Sequence, residues 1–495
     1  MWALCIFVLK SYPGVSVTSL VQGMNMPNSL VILALVMWAA SDTDWSRFRG
    51  PNGSGISETK GLPVEFGPEK NVVWKVDLPQ GYSSPIIHGD RIFLTALRDQ
   101  ALVTIAVDRT SGKVLWERAA PRARTEKLDR RNRPAAASAA TDGERVSVFF
   151  GDYGLITYDV NGKELWKQPL GPFNNVYGMG ASPLIVGDKV ILVCDQSTDS
   201  YIAAWDKKTG KLRWKTPRTE AKSGHSTPIL WAPKGGSQQL IVPGSFLLSA
   251  YSPEDGKRLW WVGGLSFEMK STPVIKGDVV YINGFGSPEN NPGSKIAVIT
   301  TEEAFSKHDA DKDGRLSTAE TPTPHAKEYF SYMDLNGDKM WSRDEWDYYK
   351  AAMESDNGIL AIQMGGSGDM TAKSVKWRYH RGIPQLPSPL IYENVLYLVN
   401  DGGGRVIMLD PDKGDVLLQG RLPGTADTFY ASPVAGDGKV YIASEKGQVF
   451  VLPPGPRLEP LAVNDLADGI YATPALMDGR IYLRTLNTLY CFGSQ

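Results

Sequence analysis

A Ser/Thr-Pro dipeptide returns along the chain at near-constant spacing, and this repeat constrains the fold more than any other feature. Copies stand at Ser84-Pro85, Ser182-Pro183, Thr227-Pro228, Thr272-Pro273, Ser388-Pro389, Ser432-Pro433 and Thr473-Pro474, with a degenerate copy at Ser138-Ala139. Most intervals are 44–45 residues, and one is stretched to 116. Units of this length bury their apolar faces only against neighbours, so the number of copies, eight, nearly fixes the architecture. After the dipeptide and its strand hairpin comes, in the earlier units, a strand ending in Asp, a turn with Gly-Lys, and Trp; in the seventh, Gly414-Asp415-Val416-Leu417-Leu418 has leucine in place of Trp. Examples are Asp108…Gly112-Lys113-Val114-Leu115-Trp116 and Asp206…Gly210-Lys211…Trp214. Asp-x-x-x-Gly between apolar runs signals a tight turn, because Gly takes positive φ at low steric cost. Four short strands per unit make one propeller blade, and the recurrent Trp ring suits packing between blades. A Trp-type strand at 72–76 precedes the first Ser-Pro, and the chain ends on a strand at 488–492 without its Trp partner. Together they should complete one blade and remove the exposed sheet edges of an open array. The expectation is an all-β, eight-bladed β-propeller over residues 45–495, closed by its N- and C-terminal strands.

With 495 residues and 42% hydrophobic content the chain can bury a large core, and a net charge of −1 gives no global field to attract nucleic acid or membrane. Cysteines are three, Cys5, Cys194 and Cys491, which is no disulfide framework. Leu30 to Ala40 is an apolar run too short to span a bilayer, and Ala39-Ala40-Ser41 offers small residues for cleavage. Residues 1–41 therefore read as an export signal, with 1–23 an extension if the start is Met24 or Met26. The mature chain is expected outside the cytoplasm, periplasmic or extracellular, without a membrane span and as a monomer.

The 116-residue interval carries 71 residues beyond a normal 45, and within it residues 301–356 hold 14 acidic against 7 basic side chains. Asp309, Asp311, Asp313, Arg315, Ser317 and Glu320 occupy positions 1, 3, 5, 7, 9 and 12 of an EF-hand loop, with Gly314 at position 6. Ca²⁺ needs six to eight hard oxygens, which alternating carboxylates, the Arg315 carbonyl and a two-oxygen Glu can supply. A second loop repeats the pattern with Asp334, Asn336, Asp338, Met340, Ser342 and Glu345, but Lys339 replaces Gly at position 6. A left-handed non-Gly residue costs about 1–2 kcal/mol, so weaker binding is expected there. One or two Ca²⁺ ions are expected in all. Thr301–His308 and Arg343–Met353 have helical patterning, and only 13 residues, including Pro322 and Pro324, separate the loops. The first exit helix should therefore be truncated and the pair compact. The insert falls between two strands of the fifth blade.

The segment Trp45-Ser46-Arg47-Phe48-Arg49-Gly50-Pro51-Asn52-Gly53-Ser54-Gly55 resembles the opening signature of secreted bacterial PQQ-like β-propeller repeat proteins. The Gly-Lys-x-x-Trp and Ser/Thr-Pro elements are similar too, and the resemblance covers about residues 45–495. It implies the fold of the outer-membrane assembly factor BamB and of quinoprotein alcohol dehydrogenases, with an EF-hand pair as an insertion known in some members. The dehydrogenases of this fold carry a vicinal disulfide, a catalytic Asp and Glu/Asn/Asp calcium ligands. This chain has no Cys-Cys pair and no Cys-x-x-Cys-His for haem, so bound PQQ is not expected.

Other chemistry in the sequence is thin. Ser223-Gly224-His225-Ser226 shows no nucleophile pattern and reads as a loop, and Gly365-Gly366-Ser367-Gly368-Asp369 reads as a turn of the repeat. Arg118 to Arg133 has seven basic and two acidic residues and reads as a solvated loop, with an acidic partner or polyanionic glycan as the alternative. Asp152, Asp195 and Asp401 end strand-like runs and are the candidates for carboxylates facing a central funnel. The reading that results is a secreted calcium-binding propeller, a non-catalytic scaffold for an envelope protein or polymer. The alternative is an enzyme using the funnel, either PQQ-dependent or glycan-active.

Overall fold

In the computed structural model, residues 44–122, 124–286 and 296–494 are described. The expected export signal at 1–41 lies outside them. Eight antiparallel sheets follow one another along the chain, at residues 86–120, 140–169, 184–217, 229–263, 274–379, 390–421, 434–465 and 475–493. They are blades 1 to 8 of a β-propeller. The fourth strand of blade 8 is Val72–Asp77, paired antiparallel with the C-terminal Thr488–Gly493. The ring is thus sealed by the two ends of the chain.

Burial grades outward within each blade. In blade 3 the strand Lys189–Cys194 is buried along its whole length, whereas the outermost strand, Leu212–Pro217, alternates and buries Trp214 on one side. Inner strands are sandwiched between neighbouring blades and so read as continuous apolar runs, while outer strands face water on one side. The apolar clusters are shared between blades. One combines Ile86, Phe93 and Trp116 of blade 1 with Val146, Val148 and Tyr158 of blade 2.

The Gly-Lys-x-x-Trp motif is the joint between blades. The indole Nε1 of Trp116 donates to the Val160 carbonyl of the next blade at 3.0 Å, and that of Trp166 to the Lys207 carbonyl at 2.9 Å. Each ring lies on the turn glycine of that neighbour. A Cβ added to Gly162 or Gly210 would come within 2.7 Å of the Trp116 or Trp166 ring, and both glycines have positive φ. Trp260 is the exception, donating instead to the Gln239 side chain of its own blade at 2.8 Å. Here the glycine-rich stretch is more than a turn, because Gly368–Asp369 adds a parallel strand beside Trp260 and Trp261.

The Ser/Thr-Pro dipeptides line the axis. The backbone N–H of Ser84 donates to the Ser138 hydroxyl, Ser138 to Ser182, Ser182 to Thr227, Thr272 to Ser388, Ser388 to Ser432, Ser432 to Thr473 and Thr473 back to Ser84, at 2.9–3.0 Å. These bonds make seven of the eight links of a closed circle. Proline, which has no N–H, follows at a point where none is needed.

The 45–57 segment runs beneath this circle. Trp45 bridges to Ile87 of blade 1, and the Arg47 guanidinium donates to the Pro228 carbonyl. That of Arg49 donates to the Pro389 and Pro433 carbonyls, and Ile56–Ser57 pairs with blade 7. The positive φ values of Gly50, Gly53 and Gly55 let the chain turn here, and the Gly50 Cα packs against the Trp45 ring.

Between Val279–Gly284 and Gly358–Gln363 of blade 5, which pair from Val279↔Gln363 to Gly284↔Gly358, three helices emerge. They are α1 (Thr301–His308), α2 (Pro324–Met333) and α3 (Arg343–Glu354). Thr300, Thr323 and Ser342 cap their N-termini by accepting backbone N–H groups, and Glu345 completes a capping box on α3. Only α2 fits between the two loops, and it starts at Pro324, where a missing N–H is harmless. Phe330, Trp341, Trp346 and Tyr349 form the core of the insert. That core is continuous with the propeller through Phe267.

Candidate functional site

The two twelve-residue loops lie side by side, bridged by mutual backbone bonds between Leu316 and Trp341 at 2.8–2.9 Å. In the first loop the carboxylate oxygens of Asp309, Asp311 and Asp313 come within 4.8 Å of one another. Asp309 Oδ2 accepts the Gly314 N–H, while its buried Oδ1 has no partner. Glu320 accepts from Ser317 and the Ala310 N–H, and these bonds hold its carboxyl down at about 2. Arg315 and Ser317 lie between, with the Arg315 side chain reaching across to Asp338 at 2.7 Å. In the second loop Asp334 accepts from Gly337, Asp338 and Lys339, and Asn336 Nδ2 donates to Asp338 at 3.2 Å. Glu345 accepts from Leu335, Asn336 and Ser342. The second loop's carboxylates form no comparable group of three among the described residues. Met340 donates its N–H to Asp338 at 2.9 Å.

The sequence places the strain of these loops in Lys339 alone, but the geometry distributes it. Lys339 has φ +67°, yet Lys312 at position 4 of the first loop has φ +61°. The matching residues, Gly314 and Gly337, are also left-handed. Positions 4 and 6 are thus left-handed in both loops, and each loop holds one Gly and one Lys there.

The insert is seated on the mouth of the axial channel. Tyr332, in the last turn of α2, donates to the Glu268 carboxylate, as does the Tyr177 hydroxyl at 2.7 Å. Glu268 also holds Lys270 in an ion pair and accepts from Gln385 at 3.0 Å. Burial pushes the Glu268 carboxyl up, but Lys270 and the two tyrosines outweigh it and keep it below the usual range. Asn174 adds a bond to the Leu335 carbonyl at 2.6 Å, and Phe246 meets Tyr348 edge-on.

The channel cavity has a volume of about 210 Å³. Phe48 and the eight Ser/Thr residues of the circle line its inner end. Asp129, Arg131, Asn132, Tyr177, His225 and Lys270 line one side of the mouth, and Tyr82, Tyr430 and Tyr471 line another part. The tyrosines are stacked, Tyr82 on Tyr471 at 4.1 Å and Tyr471 on Tyr430 at 5.1 Å. Arg131 pairs with Asp129 at 2.7 Å and lies over the Tyr177 ring. Desolvation, helped by the Lys270 charge, pushes His225 down to about 3, and its Nε2 has no partner.

Several expectations are corrected here. The basic stretch is partly solvated and partly engaged: Arg118, Lys127, Arg130 and Arg133 are exposed, and Arg131 lies in the cavity lining. Arg122 pairs with Asp152, Arg124 donates to the Gly151 and Leu170 carbonyls, and Arg133 covers Tyr82. Asp152, Asp195 and Asp401 are absent from the cavity lining. Asp195 is clamped by Arg218 at 2.7 and 3.0 Å, and Asp401 accepts the Gln385 and Leu386 N–H groups. His225 lies in a loop, as expected, and that loop contributes it to the lining, which the sequence reading missed. Its place just before Ser226-Thr227-Pro228 was the available signal, since the circle residues border the channel.

A family model described as outer membrane protein assembly factor BamB matches residues 64–198 and 198–495. No match was found among curated proteins. Among solved structures, BamB from Moraxella catarrhalis superposes with a TM-score of 0.52 at 12% identity, over 86% of this chain and 99% of its own. Quinohemoprotein alcohol dehydrogenase from Comamonas testosteroni gives 0.56 at 13% identity, over 91% of this chain and 80% of its own. The computationally designed Ika8 protein gives 0.51 at 11% identity, over 86% and 100%. At such identities the structural likeness is one of fold. The two matched stretches together take in all eight sheets, and the chain belongs to the family of the outer membrane protein assembly factor BamB.

Proposed function

We propose that this protein is an exported, calcium-binding propeller that holds an envelope protein or polymer at its channel mouth and performs no chemistry of its own. The observation that carries this reading is the seat of the insert. The helix joining the two acidic loops carries Tyr332 in its last turn, bonded to Glu268 beside the channel mouth. Ions in the loops would then fix the surface that the mouth presents. The donor set suits Ca²⁺, with three clustered carboxylates, one of them carrying an unpartnered buried oxygen. The mouth suits binding, being walled by aromatic rings with a few fixed polar groups. The name of the M. catarrhalis homologue, an assembly factor in its family description, points the same way.

The lining does not fit PQQ, which brings three carboxylates. The two cations among the described lining residues, Arg131 and Lys270, are already neutralised by Asp129 and Glu268.

Binding to the folded state alone stabilises by mass action. The melting temperature of EGTA-stripped protein is expected to rise on adding millimolar CaCl₂, and Glu320→Gln should blunt the rise. A stripped sample with no calcium shift would overturn the calcium reading, and quinone absorbance retained after adding PQQ and gel filtration would overturn the non-catalytic one.

A further inference from the structure

The hydroxyl circle has an unused half. Each Ser or Thr oxygen in the seven links accepts a neighbour's N–H, and among the described residues no acceptor is bonded to its own O–H. All eight circle residues line the channel cavity. The cavity therefore ends in a circle of hydroxyl donors around Phe48. His225 adds a buried Nε2 without a partner.

The rest of the lining is electrically balanced. Arg131 is paired with Asp129 and Lys270 with Glu268, and Asn132 is engaged with the Tyr177 carbonyl and the Arg133 N–H. An anionic ligand would find no unpaired cation among these groups, and a cationic one no unpaired carboxylate. A neutral ligand rich in oxygen acceptors suits the free O–H groups. The volume, about 210 Å³, is below the roughly 300–1,000 Å³ of drug-sized sites, so the occupant is a small ring.

A flat apolar surface is provided by Tyr430. One face stacks on Tyr471 at 5.1 Å and 15°, and no ring or cation covers the other among the described residues. Aromatic faces are negative and attract weakly positive C–H groups. A pyranose has C–H groups on its faces and oxygens around its rim, which matches a tyrosine face beside a circle of hydroxyls.

We propose that the channel cavity binds one ring of a neutral carbohydrate against Tyr430, with its oxygens accepting from the Ser/Thr circle. The inference rests on the non-catalytic binding reading above and names the class of polymer. It adds that the polymer enters by a chain end, since the circle and Phe48 close the inner end of the cavity.

The test is calorimetric titration of calcium-loaded full-length protein with cellotriose, maltotriose and chitotriose to millimolar concentration. Saturable binding of at least one is expected. Tyr430→Ala should weaken it about tenfold and Tyr430→Phe should change it little, since the ring and not the hydroxyl is used. Tyr430 is only half-buried, so the variants should fold, and a crystal soaked with the bound sugar checks placement in any case. No binding of any of the three, equal binding to Tyr430→Ala, or sugar density outside the cavity would each sink the proposal while leaving a binding propeller intact. Cleavage of the sugar during titration would sink the non-catalytic reading and leave the site standing.

Discussion

Glycine and lysine change places between the two acidic loops, and the backbone demands the same of both. Positions 4 and 6 are left-handed in each, with Lys312 and Gly314 in one and Gly337 and Lys339 in the other. A side chain at positive φ is strained, and replacing it by glycine trades that strain against the extra freedom of the unfolded chain. Lys339→Gly and Lys312→Gly should each stabilise the calcium-free protein by about 0.5–1 kcal/mol, read from urea midpoints. A gain confined to Lys339→Gly would show that only position 6 is strained. His225 makes a second prediction at this scale. It is neutral in the fold with a pKa near 3, against an ordinary value of 6.5. Between these values the unfolded chain binds the additional proton, so stability falls as pH drops from about 6.5 towards 3. His225→Asn should flatten that part of the profile, and an unchanged slope would assign it to other groups.

At the scale of elements, α2 connects the loops to the channel. The sequence showed that the 13 residues between the loops, with two prolines, cannot hold two full helices. The orientation of α2 was not legible there, because Tyr332, Tyr177 and Glu268 come from stretches 64 to 155 residues apart. Tyr332→Phe removes one donor to a buried carboxylate, which should cost about 1–3 kcal/mol. The same change should raise hydrogen exchange in α2 while leaving the inner strands of the blades protected. Exchange raised evenly across the protein would mean that the bond supports the fold as a whole and not the seat of the insert. The basic stretch 118–133 teaches a related lesson. Its charge suggested solvation, and Arg118, Lys127 and Arg130 are exposed, but Arg122, Arg124, Arg131 and Arg133 each find a carboxylate, carbonyl or ring.

The whole molecule is closed three times over. The strands Val72–Asp77 and Thr488–Gly493 close the last blade, the Ser/Thr circle ties the innermost strands, and residues 45–57 cross beneath the axis. The Arg49 guanidinium, fully buried and pushed down to about 9 by desolvation, is cradled by the Pro389 and Pro433 carbonyls of two blades. Trp45 is almost fully buried against blade 1. Trp45→Ala should cost about 3–5 kcal/mol in one cooperative unfolding transition. Loss of only a local, non-cooperative signal would show that the 45–57 segment is an appendage and not part of the closure.

The number of blades, their closure by the first and last strands, and the packing of Trp between blades were all readable from the chain alone. These follow from a period, from strand phase and from local turn chemistry, all of which act within about one repeat. The acidic loops were expected from local pattern too, since an EF-hand motif is contained in twelve consecutive residues, and calcium titration is the test of that expectation. Which side chains meet at the axis is settled only by the folded ring. Closing the ring brings Ser84 beside Thr473, and Tyr82 onto Tyr471, across most of the chain. No local pattern encodes such meetings, because each blade supplies the axis with only a residue or two, and the site arises when the ring closes.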